Sequence, residues 1–399
     1  MKILVISQYF YPENFKINDL VLGLKERGHE IAVLTGIPNY PTGIFFDGYD
    51  KNSGDEVWNG IKIYRSKLIP RGRGGVKLFL NYLSFAFSAS KKVDEIKEKF
   101  DKILVYEPSP ITVGIPAMKA AKKFNIPYFF WVQDLWPESL TAAGGIKNPI
   151  ILNFFDRLTR RIYNNAKKVL VQSEGFKDYI LKQDIPAEKL IFYPNSTEAY
   201  YHKKSPSAEI EKLLPEGFRI IFAGNLGEAQ SLGTLMEAVE IVKNKGISVK
   251  WVFLGNGRYR ETLEKTIVER KLEDSVFLLG AFPGTEMPDF FASGDALIAS
   301  LKKDKIFALT IPSKIQSYMA CGKPILAALD GEGAKIVETA ECGYTSPAEN
   351  AEILAENIVK LTRLSKEERL KMGENAMNYF NNNFEREMLL DKLISILVN

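Results

Sequence analysis

The feature that most constrains the fold is an alternation of short apolar runs with longer helical patterns along nearly the whole chain. Strands that alternate with helices in this way form parallel sheets covered by helices on both faces. The predicted strands cover residues 2–7, 30–36, 61–66, 102–107, 127–134, 168–173 and 189–195, then 218–225, 249–257, 276–281, 295–300, 324–329 and 343–347. The chain is therefore predicted to be an α/β protein.

The alternation is interrupted once, at residues 196–217, where charge, serine and proline accumulate. A chain of 399 residues is too long for one compact core, so the interruption is interpreted as a boundary between two doubly wound units. We predict an N-terminal domain at 1–200, a linker at 201–217, a second domain at 218–375, and C-terminal helices at 376–399 that could cross back to the first domain. Ligands of such sheets bind beyond the carboxyl ends of the strands, here in the cleft between the units.

Composition excludes several classes of protein. The formal net charge of +4 is too small to indicate nucleic-acid binding. Two cysteines and two histidines provide neither a disulfide framework nor a histidine-based metal site, and they favour a reducing, cytoplasmic environment. The longest uncharged run, 78–90, is well short of the ~20 residues of a membrane span, and the N-terminus lacks the pattern of a signal peptide.

Residues 312–344 are the most informative stretch for function. They predict a helix opened by Pro312 and Ser313, a buried strand, a glycine loop and a second helix, so that two helix N-termini lie beside one strand. Such N-termini bind anions. A lysine at this position, Lys314, interacts unfavourably with the helix dipole, and a bound phosphate would compensate that cost. Glu332 could accept hydrogen bonds from sugar hydroxyls beside Gly333. The alternatives are a surface lysine and a first-turn acidic residue.

Two further strand ends carry glycines before a helix, in FAGNLGEAQS (222–231) and FLGNGRYRE (253–261). Their backbone amides and polar side chains could hold a diphosphate, although ordinary turns would use the same glycines. The spacing is not GxGxxG, which disfavours a dinucleotide. The predicted donor-binding residues of these loops are Gly224, Asn225, Gln230, Gly255, Asn256, Gly257 and Arg258.

Loops after four strands of the first half, at 8–19, 36–49, 106–110 and 133–145, combine aromatic, carboxylate and amide side chains. This mixture suits stacking and hydrogen bonding to a sugar. Asp134 ends a buried strand and is the candidate catalytic or acceptor-orienting carboxylate; the alternative is a helix N-cap. The remaining candidates for acceptor binding are Tyr11, Glu13, Asn18, Tyr40, Glu107 and Trp136.

A basic and aromatic segment at 69–92 suggests contact with an anionic membrane. Its helix could equally be core, because apolar positions cover most of its circumference. The basic residues are Arg71, Arg73, Lys77, Lys91 and Lys92, with Arg157, Arg160, Arg161, Lys167 and Lys168 as possible additions, and the aromatic ones are Phe79, Tyr82, Phe85 and Phe87.

With these motifs, the chain resembles glycosyltransferase family 4, whose members have the GT-B fold of two Rossmann-like domains facing a central cleft. QYFYPENFKIND, NYPTG with FFDGY, QDLWPES with AGG, GNLGEAQS, LGNGRYRE and PSKIQSYMACGKP resemble in particular the bacterial O-antigen and capsule enzymes that include the N-acetyl-L-fucosamine transferases. The resemblance covers essentially the whole chain.

The resemblance implies a nucleotide-sugar donor bound mainly by the second domain, an acceptor bound mainly by the first, retention of anomeric configuration, and no catalytic metal or cofactor. It places Gly224, Asn225, Gln230, Arg258, Lys314 and Glu332 around the donor. Two features depart from the family. Its pair of glutamates would fall on Leu309 and Ser317, and its arginine and lysine in the first donor loop are Asn225 and Gln230. Lys314 thereby becomes more important as the cation for the phosphates.

The sequence thus predicts transfer of an N-acetylated amino or deoxyamino sugar from a UDP-sugar to a lipid-diphosphate-linked saccharide, with Asp134 and Lys314 as the catalytic residues. The site would be at the inner face of the cytoplasmic membrane. Two alternatives remain open: a GT-B sugar-nucleotide 2-epimerase, and a non-catalytic protein that binds a sugar or lipid.

Overall fold

The computed structural model describes residues 1–72, 75–144 and 148–399. Arg73 of the basic segment and Gly145 of the loop at 133–145 lie outside these residues. The chain divides into two compact units, the first formed by residues 1–194 with 390–399 and the second by residues 195–389.

The first unit is built on an eight-stranded sheet in the order β3-β4-β2-β1-β5-β6-β7-β8. All neighbouring strands are parallel except β3, which runs antiparallel to β4. Its elements are β1 (Lys2–Ile6), α1 (Lys16–Glu26), β2 (Glu30–Gly36), β3 (Glu56–Trp58), β4 (Ile61–Ser66), α2 (Gly75–Glu95), β5 (Lys102–Glu107), α3 (Gly114–Phe124), β6 (Tyr128–Val132), α4 (Glu138–Gly144), α5 (Pro149–Asn165), β7 (Lys168–Val171), α6 (Glu174–Leu181) and β8 (Leu190–Phe192).

The second unit has a six-stranded, wholly parallel sheet in the order β11-β10-β9-β12-β13-β14. Its elements are α7 (Ala208–Glu211), β9 (Phe218–Ala223), α8 (Leu232–Asn244), β10 (Val249–Leu254), α9 (Arg260–Glu269), β11 (Val276–Gly280), α10 (Met287–Ala292), β12 (Ala296–Ser300), α11 (Lys305–Leu309), α12 (Ser313–Ala320), β13 (Ile325–Ala328), α13 (Glu332–Thr339), β14 (Gly343–Ser346), α14 (Ala351–Thr362) and α15 (Lys366–Asn383). The last helix, α16 (Arg386–Val398), begins in this unit and ends among the residues of the first.

The predicted α/β class is confirmed, and each predicted strand is present with ends that differ by a few residues. The sequence prediction missed β3, a three-residue edge strand that is too short to show a pattern. The inner strands of each sheet are buried on both faces, which is why they appear in the sequence as continuous apolar runs. The outer strands β3, β8, β11 and β14 are only partly buried.

The predicted linker, 201–217, lies inside the second unit in this division. Residues just before it are tied to α12, because the Thr197 hydroxyl lies 2.9 Å from that of Ser317 and the Gln316 amide donates to the carbonyl of Asn195. The Tyr201 ring also stacks on Phe291 of α10. These contacts explain why a charged, proline-containing segment packs with the second sheet.

Candidate functional site

A cavity of about 360 Å³ lies at the carboxyl ends of β9, β10 and β11 in the second unit. Parallel strands end at the same edge of a sheet, and ligands of open α/β sheets bind there. The residues that line the cavity are Tyr201, Ala223, Gly224, Asn225, Leu254, Gly255, Ala281, Phe282, Met287, Phe291, Ser313, Lys314, Ser317 and Tyr318.

Two glycines let the loops after β9 and β10 approach each other at the floor of this cavity. Gly224 and Gly255 have φ angles of +135° and +144°, which side chains rarely adopt. A Cβ atom on Gly255 would lie 1.9 Å from the carbonyl oxygen of Gly224, and one on Gly224 would lie 2.7 Å from Cε of Lys314. Both positions therefore require glycine, and the space above Gly224 holds the lysine side chain.

Lys314 is the cation of the cavity. Its Nζ donates a hydrogen bond to Oε1 of Gln230 and lies 3.7 Å from the centre of the Phe222 ring, a cation–π contact. Burial lowers the pKa of Lys314 to about 7 from its ordinary value of 10.5. A diphosphate bound in the cavity would favour the charged ammonium, because an adjacent anion stabilises it.

The N-termini of α12 and α13 contact each other beside this cavity. A Cβ on Gly333, the second residue of α13, would lie 2.9 Å from Cδ of Pro312, which precedes α12. Pro312 occupies the N-cap position, and no side chain of the described residues caps α12. The predicted capping role of Ser313 is therefore wrong: its side chain is exposed at the cavity instead.

The predicted donor-binding residues fall into two groups. Gly224, Asn225, Gly255, Ser313 and Lys314 line the cavity, and Gln230 is linked to it by its bond to Lys314. The others lie in the adjoining turns and helix starts and are not among the described lining residues. Within that second group, Asn256 and Arg258 are exposed, Pro312 and Glu332 are half-buried, and Gly257 and Gly333 pack against Leu226 and Pro312.

Sequence reasoning missed the apolar end of the cavity. Ala281 and Phe282 follow β11, Met287 and Phe291 belong to α10, and Tyr201 lies in the predicted linker. The only signal in the sequence was the end of the predicted strand 276–281, which lacks the polar residues that marked the other strand ends. The tertiary structure brings these apolar side chains next to the lysine.

In the first unit, the strands β2, β1, β5 and β6 are neighbours and parallel, so the loops after them share one sheet edge, as predicted. Asp134 follows β6 there, and Glu107 ends the adjacent strand β5. Glu107 is fully buried and accepts a hydrogen bond from the backbone amide of Ser109 at 3.1 Å. The Asp134 carboxylate interacts with the Ser109 hydroxyl and with the positive charge of Arg71.

Burial raises the pKa of both carboxyl groups. The pKa of Asp134 is raised to about 6, although the Ser109 hydrogen bond and Arg71 oppose this rise. Burial, and then the charge of Asp134, raise the pKa of Glu107 well above its ordinary value. A pair of neighbouring carboxyls whose pKa values are raised by burial suits acid–base chemistry.

Glu13 holds loops of the first unit together. It is 2% exposed, and its carboxylate accepts hydrogen bonds from the backbone amides of Phe10, Asn39 and Tyr40 at 3.3, 2.8 and 2.7 Å. Burial nevertheless raises the pKa of Glu13 to about 7. Its place in the structure is under the loops rather than on their surface, which corrects its prediction as an acceptor-binding residue.

The other acceptor candidates differ in how far they reach the surface. Trp136 is 2% exposed and packs against Tyr82 and Phe155, so its indole belongs to the core rather than to a sugar platform. Tyr40 is 36% exposed and remains a candidate platform. Tyr11 stacks on Trp58, and the side-chain amide of Asn18 donates to the carbonyl of Glu13.

The basic segment is divided by the fold. On α2, Tyr82 and Phe85 are buried, whereas Val76, Leu80, Leu83 and Phe87 form an exposed stripe at helical spacing. Ile150 and Phe154 of α5 are also exposed, and Phe155 beside them contacts Phe79 of α2. The interpretation as core is confirmed for the buried face of the helix, and membrane contact stays a prediction for the open face.

Several of the predicted basic residues have other partners. Lys92 pairs with Asp55 at 3.0 Å, and Arg160 pairs with Asp156 and Asp184. Arg71 lies beside Tyr9 and Tyr40 rather than on the helix surface. Lys77 and Lys91 of α2 and Arg157 and Arg161 of α5 are exposed, and Lys91 lies beside Phe87 of the apolar stripe.

Comparison with known proteins identifies the kind of enzyme. Residues 16–196 match the family model described as a glycosyl transferase 4-like domain, and residues 206–379 match that of glycosyl transferases group 1. The chain is a glycosyltransferase with the GT-B fold. Each model matches one of the two Rossmann-like units, so the enzyme carries both halves of the architecture.

Curated relatives of the transferase include proteins of bacterial polysaccharide synthesis. WcaI of Escherichia coli strain K12, named as a colanic acid biosynthesis glycosyl transferase, is 26% identical over 81% of this chain and 82% of its own length. WbjE of Pseudomonas aeruginosa, named as a glycosyltransferase, is 25% identical over 75% of this chain and 74% of its own.

Solved structures agree on the fold. The transferase matches a sucrose-phosphate synthase from Thermosynechococcus elongatus with a TM-score of 0.72 at 16% identity, over 99% of this chain and 97% of that one. It matches Anabaena HepE, solved in complex with UDP, with a TM-score of 0.71 at 16% identity over the full length of both.

Proposed function

We propose that the enzyme transfers an N-acetylated amino or deoxyamino sugar from a UDP-sugar to a lipid-diphosphate-linked saccharide, as a step in capsule or O-antigen synthesis. The observation that carries the donor side is the cavity of the second unit, in which Lys314 lies against the glycine loop after β9. Relatives named for colanic acid synthesis, and a structural neighbour solved with UDP, support this class of reaction. The motif resemblance supports N-acetyl-L-fucosamine as the sugar.

The cavity offers a distinct surface to each part of such a donor. Lys314 and the loop amides near Asn225 would bind the diphosphate and stabilise the charge that grows on it as the sugar leaves. The apolar end, formed by Ala281, Phe282 and Met287, suits the flat face of a base. Burial of Lys314 strengthens its effect, because a charge acts more strongly where water is excluded.

In the first unit, Asp134 is the proposed residue that orients and activates the acceptor hydroxyl. With a pKa of about 6 it is mainly ionised at pH 7 and would accept a hydrogen bond from that hydroxyl, whereas burial raises the pKa of Glu107 beside it and disfavours a second anion there. We propose retention of configuration and no requirement for a metal ion. Activity in EDTA equal to that in Mg²⁺ would agree with the second proposal.

We also propose that the first unit binds the inner face of the cytoplasmic membrane through the exposed stripe of α2 and the neighbouring start of α5. Val76, Leu80, Leu83 and Phe87 would enter the interface, and cations around them would attract anionic headgroups. The Lys91 ammonium lies 4.5 Å from the Phe87 ring centre, at the border between the two surfaces. None of the described helices is long and apolar enough to cross a membrane.

The decisive experiment measures UDP release from a panel of UDP-sugars with and without a lipid-diphosphate-linked saccharide, and analyses the product by NMR. Release that depends on the acceptor, with an unchanged anomeric configuration, is the expected result. Conversion of the donor without an acceptor would indicate the epimerase, and tight donor binding with no turnover would indicate a binding protein. Either result would contradict the proposal.

Membrane binding is tested by sedimentation with vesicles of phosphatidylglycerol and phosphatidylcholine. Replacing Leu83 and Phe87 by serine should reduce the bound fraction by at least fivefold, because two exposed apolar side chains no longer enter the interface. The matched control replaces Val268, which is 63% exposed on α9 of the second unit, by serine. Equal binding of all three proteins would contradict the proposed face.

A further inference from the structure

Two arginines lie near the carboxyl end of β4 in the first unit, and their guanidinium groups differ in the partners that they contact. Arg65, in β4, is 4% exposed and pairs with Glu56 while donating to the carbonyls of Gly36 and Tyr11. Its guanidinium is therefore satisfied within the protein, as a structural arginine requires. Arg71, in the loop that follows β4, has a different environment.

The Arg71 guanidinium is half-buried between tyrosines. Nη1 donates to the hydroxyl of Tyr9 at 3.1 Å, and the guanidinium carbon lies 5.0 Å from the centre of the Tyr40 ring. The backbone amide of Arg71 donates to Oδ1 of Asn39 at 2.7 Å, which fixes the loop. Burial raises the pKa of Tyr9, so this hydroxyl is neutral at physiological pH and does not compensate the cation.

The charge of Arg71 has no ion-pair partner among the described residues, in contrast to Arg65 and its Glu56. Desolvating a cation without pairing it is costly, and such a group is usually maintained for a ligand. Guanidinium groups bind phosphate through two parallel hydrogen bonds. Among the described residues, the Arg71 side chain donates a hydrogen bond to the Tyr9 hydroxyl alone.

The position of Arg71 relates it to the proposed catalytic carboxylate. Arg71 follows β4 and Asp134 follows β6, and both strands end at the same edge of the parallel sheet. The positive charge of Arg71 also lowers the pKa of Asp134. In the acceptor, the diphosphate is attached to one side of the first sugar ring, and the hydroxyl to be glycosylated lies on the other side of that ring. If Asp134 orients this hydroxyl, the diphosphate would lie about one sugar ring away, where the cation Arg71 could bind it.

We propose that Arg71 binds the diphosphate of the acceptor and thereby makes this enzyme specific for diphosphate-linked saccharides. Tyr9 and Tyr40 hold its guanidinium in place, one through a hydrogen bond and the other through its ring face. This inference rests on the proposed function, because it assigns a residue to the acceptor of that reaction.

The test compares two acceptors that carry the same saccharide, one as a short alkyl diphosphate and the other as an uncharged alkyl glycoside. Arg71→Gln should raise KM for the diphosphate-linked acceptor at least tenfold more than KM for the glycoside, whereas any loss of kcat caused by a higher pKa of Asp134 should be the same for both acceptors. Arg71→Lys should recover part of the loss, since a point charge replaces the planar fork. Arg363→Gln, at an exposed position of the second unit, is the control.

Two results would overturn the proposal. If Arg71 served only to hold Asp134 ionised, Arg71→Gln would reduce kcat equally for both acceptors, move the acidic limb of the pH profile to higher pH and leave the ratio of the two KM values unchanged. If the site recognised a carboxylate instead, the wild type would prefer a uronic acid glycoside to the neutral one, Arg71→Gln would abolish that preference, and the diphosphate-linked acceptor would be unaffected.

A binding measurement keeps the inference independent of turnover. An alkyl diphosphate is titrated calorimetrically into protein already saturated with UDP, so that the cavity of the second unit is occupied. The wild type should bind it at least tenfold more tightly than Arg71→Gln, whether or not transfer is observed. Equal affinities would refute the role of Arg71, whereas absent turnover with unequal affinities would refute the proposed reaction only.

Discussion

Replacing Lys314 by methionine should make the protein more stable while it weakens donor binding. Methionine has a similar length and no charge, and its thioether can lie on the Phe222 ring and against Gly224 where the lysine stem lies now. A cation held in a buried site without its ligand destabilises the folded state, because folding must remove it from water or remove its proton.

The magnitude follows from the pKa. The fall from 10.5 to about 7 corresponds to about 4 kcal/mol of lost folding stability at pH 7.5. Methionine removes this cost, but it leaves the Gln230 carbonyl without its donor, which costs about 1 kcal/mol or somewhat more. After allowance for solvent that reaches the partly exposed side chain, we expect a net gain of about 2 kcal/mol. For a unit of this size that corresponds to about 4–8 °C in Tm.

The pH dependence distinguishes this cause from a simple gain in apolar burial. Between pH 7 and 10.5 the unfolded chain keeps the Lys314 proton and the folded chain has lost it, so wild-type stability rises with pH in that range. The advantage of Lys314→Met should therefore be largest at pH 7 and below, and it should shrink steadily towards pH 10.

The assay is thermal unfolding by calorimetry at several pH values, with and without UDP. Lys265→Met, on the exposed face of α9, is the matched control and should change Tm little. UDP should raise the Tm of the wild type and have at least a tenfold weaker apparent affinity for Lys314→Met. A variant that is less stable than the wild type, or a gain that does not vary with pH, would refute the reasoning.

Three further predictions concern the carboxyl pair and the glycine loop. Asp134→Asn should leave UDP affinity unchanged and reduce the rate of transfer at least a hundredfold, and an unchanged rate would contradict the role of Asp134. Wild-type turnover should also fall as the pH drops through about 6, where Asp134 takes up a proton. Glu107→Gln should keep turnover within about threefold of wild type at pH 7, because burial raises the pKa of Glu107 and so favours the neutral acid, which the amide resembles. A loss as large as that of Asp134→Asn would show that Glu107 acts as an anion. Gly255→Ala should lower stability by about 2 kcal/mol or more, measured by urea unfolding, since its Cβ would clash with the Gly224 carbonyl; Gly246→Ala, also at positive φ but in open space, should cost less.

Much of the candidate site could be predicted from the sequence because its backbone parts are local. Gly224 and Gly255 each follow a strand and precede a helix, and parallel strands bring such ends to one edge. Lys314 also stood out locally, as a cation at a helix start. The apolar end of the cavity could not be predicted, since Tyr201 and Phe282 have no local pattern that separates them from ordinary core residues.

The roles of single charged residues were predicted less well. Arg71 is one of five basic residues in the segment 69–92, and nothing in their spacing shows that this one lies between Tyr9 and Tyr40. Glu13 and Trp136 have the chemistry of sugar binding but lie under the loops and in the core. Burial depends on residues distant in sequence, and a single chain does not reveal it.

The sequence by itself determined the two parallel sheets and their glycine-bearing strand ends, because hydrophobic periodicity and turn chemistry are encoded over short distances. The class of reaction was implied by the resemblance of its motifs to a glycosyltransferase family. Only the tertiary structure decided how burial shifts the pKa values of the cations and carboxyls. Lys314 lies on an aromatic ring, Asp134 follows the strand next to the fully buried Glu107, and Arg71 is half-buried and forms no ion pair among the described residues. Desolvation arises from the summed packing of distant segments, and it sets both the pKa of each group and the ligand that the group would bind.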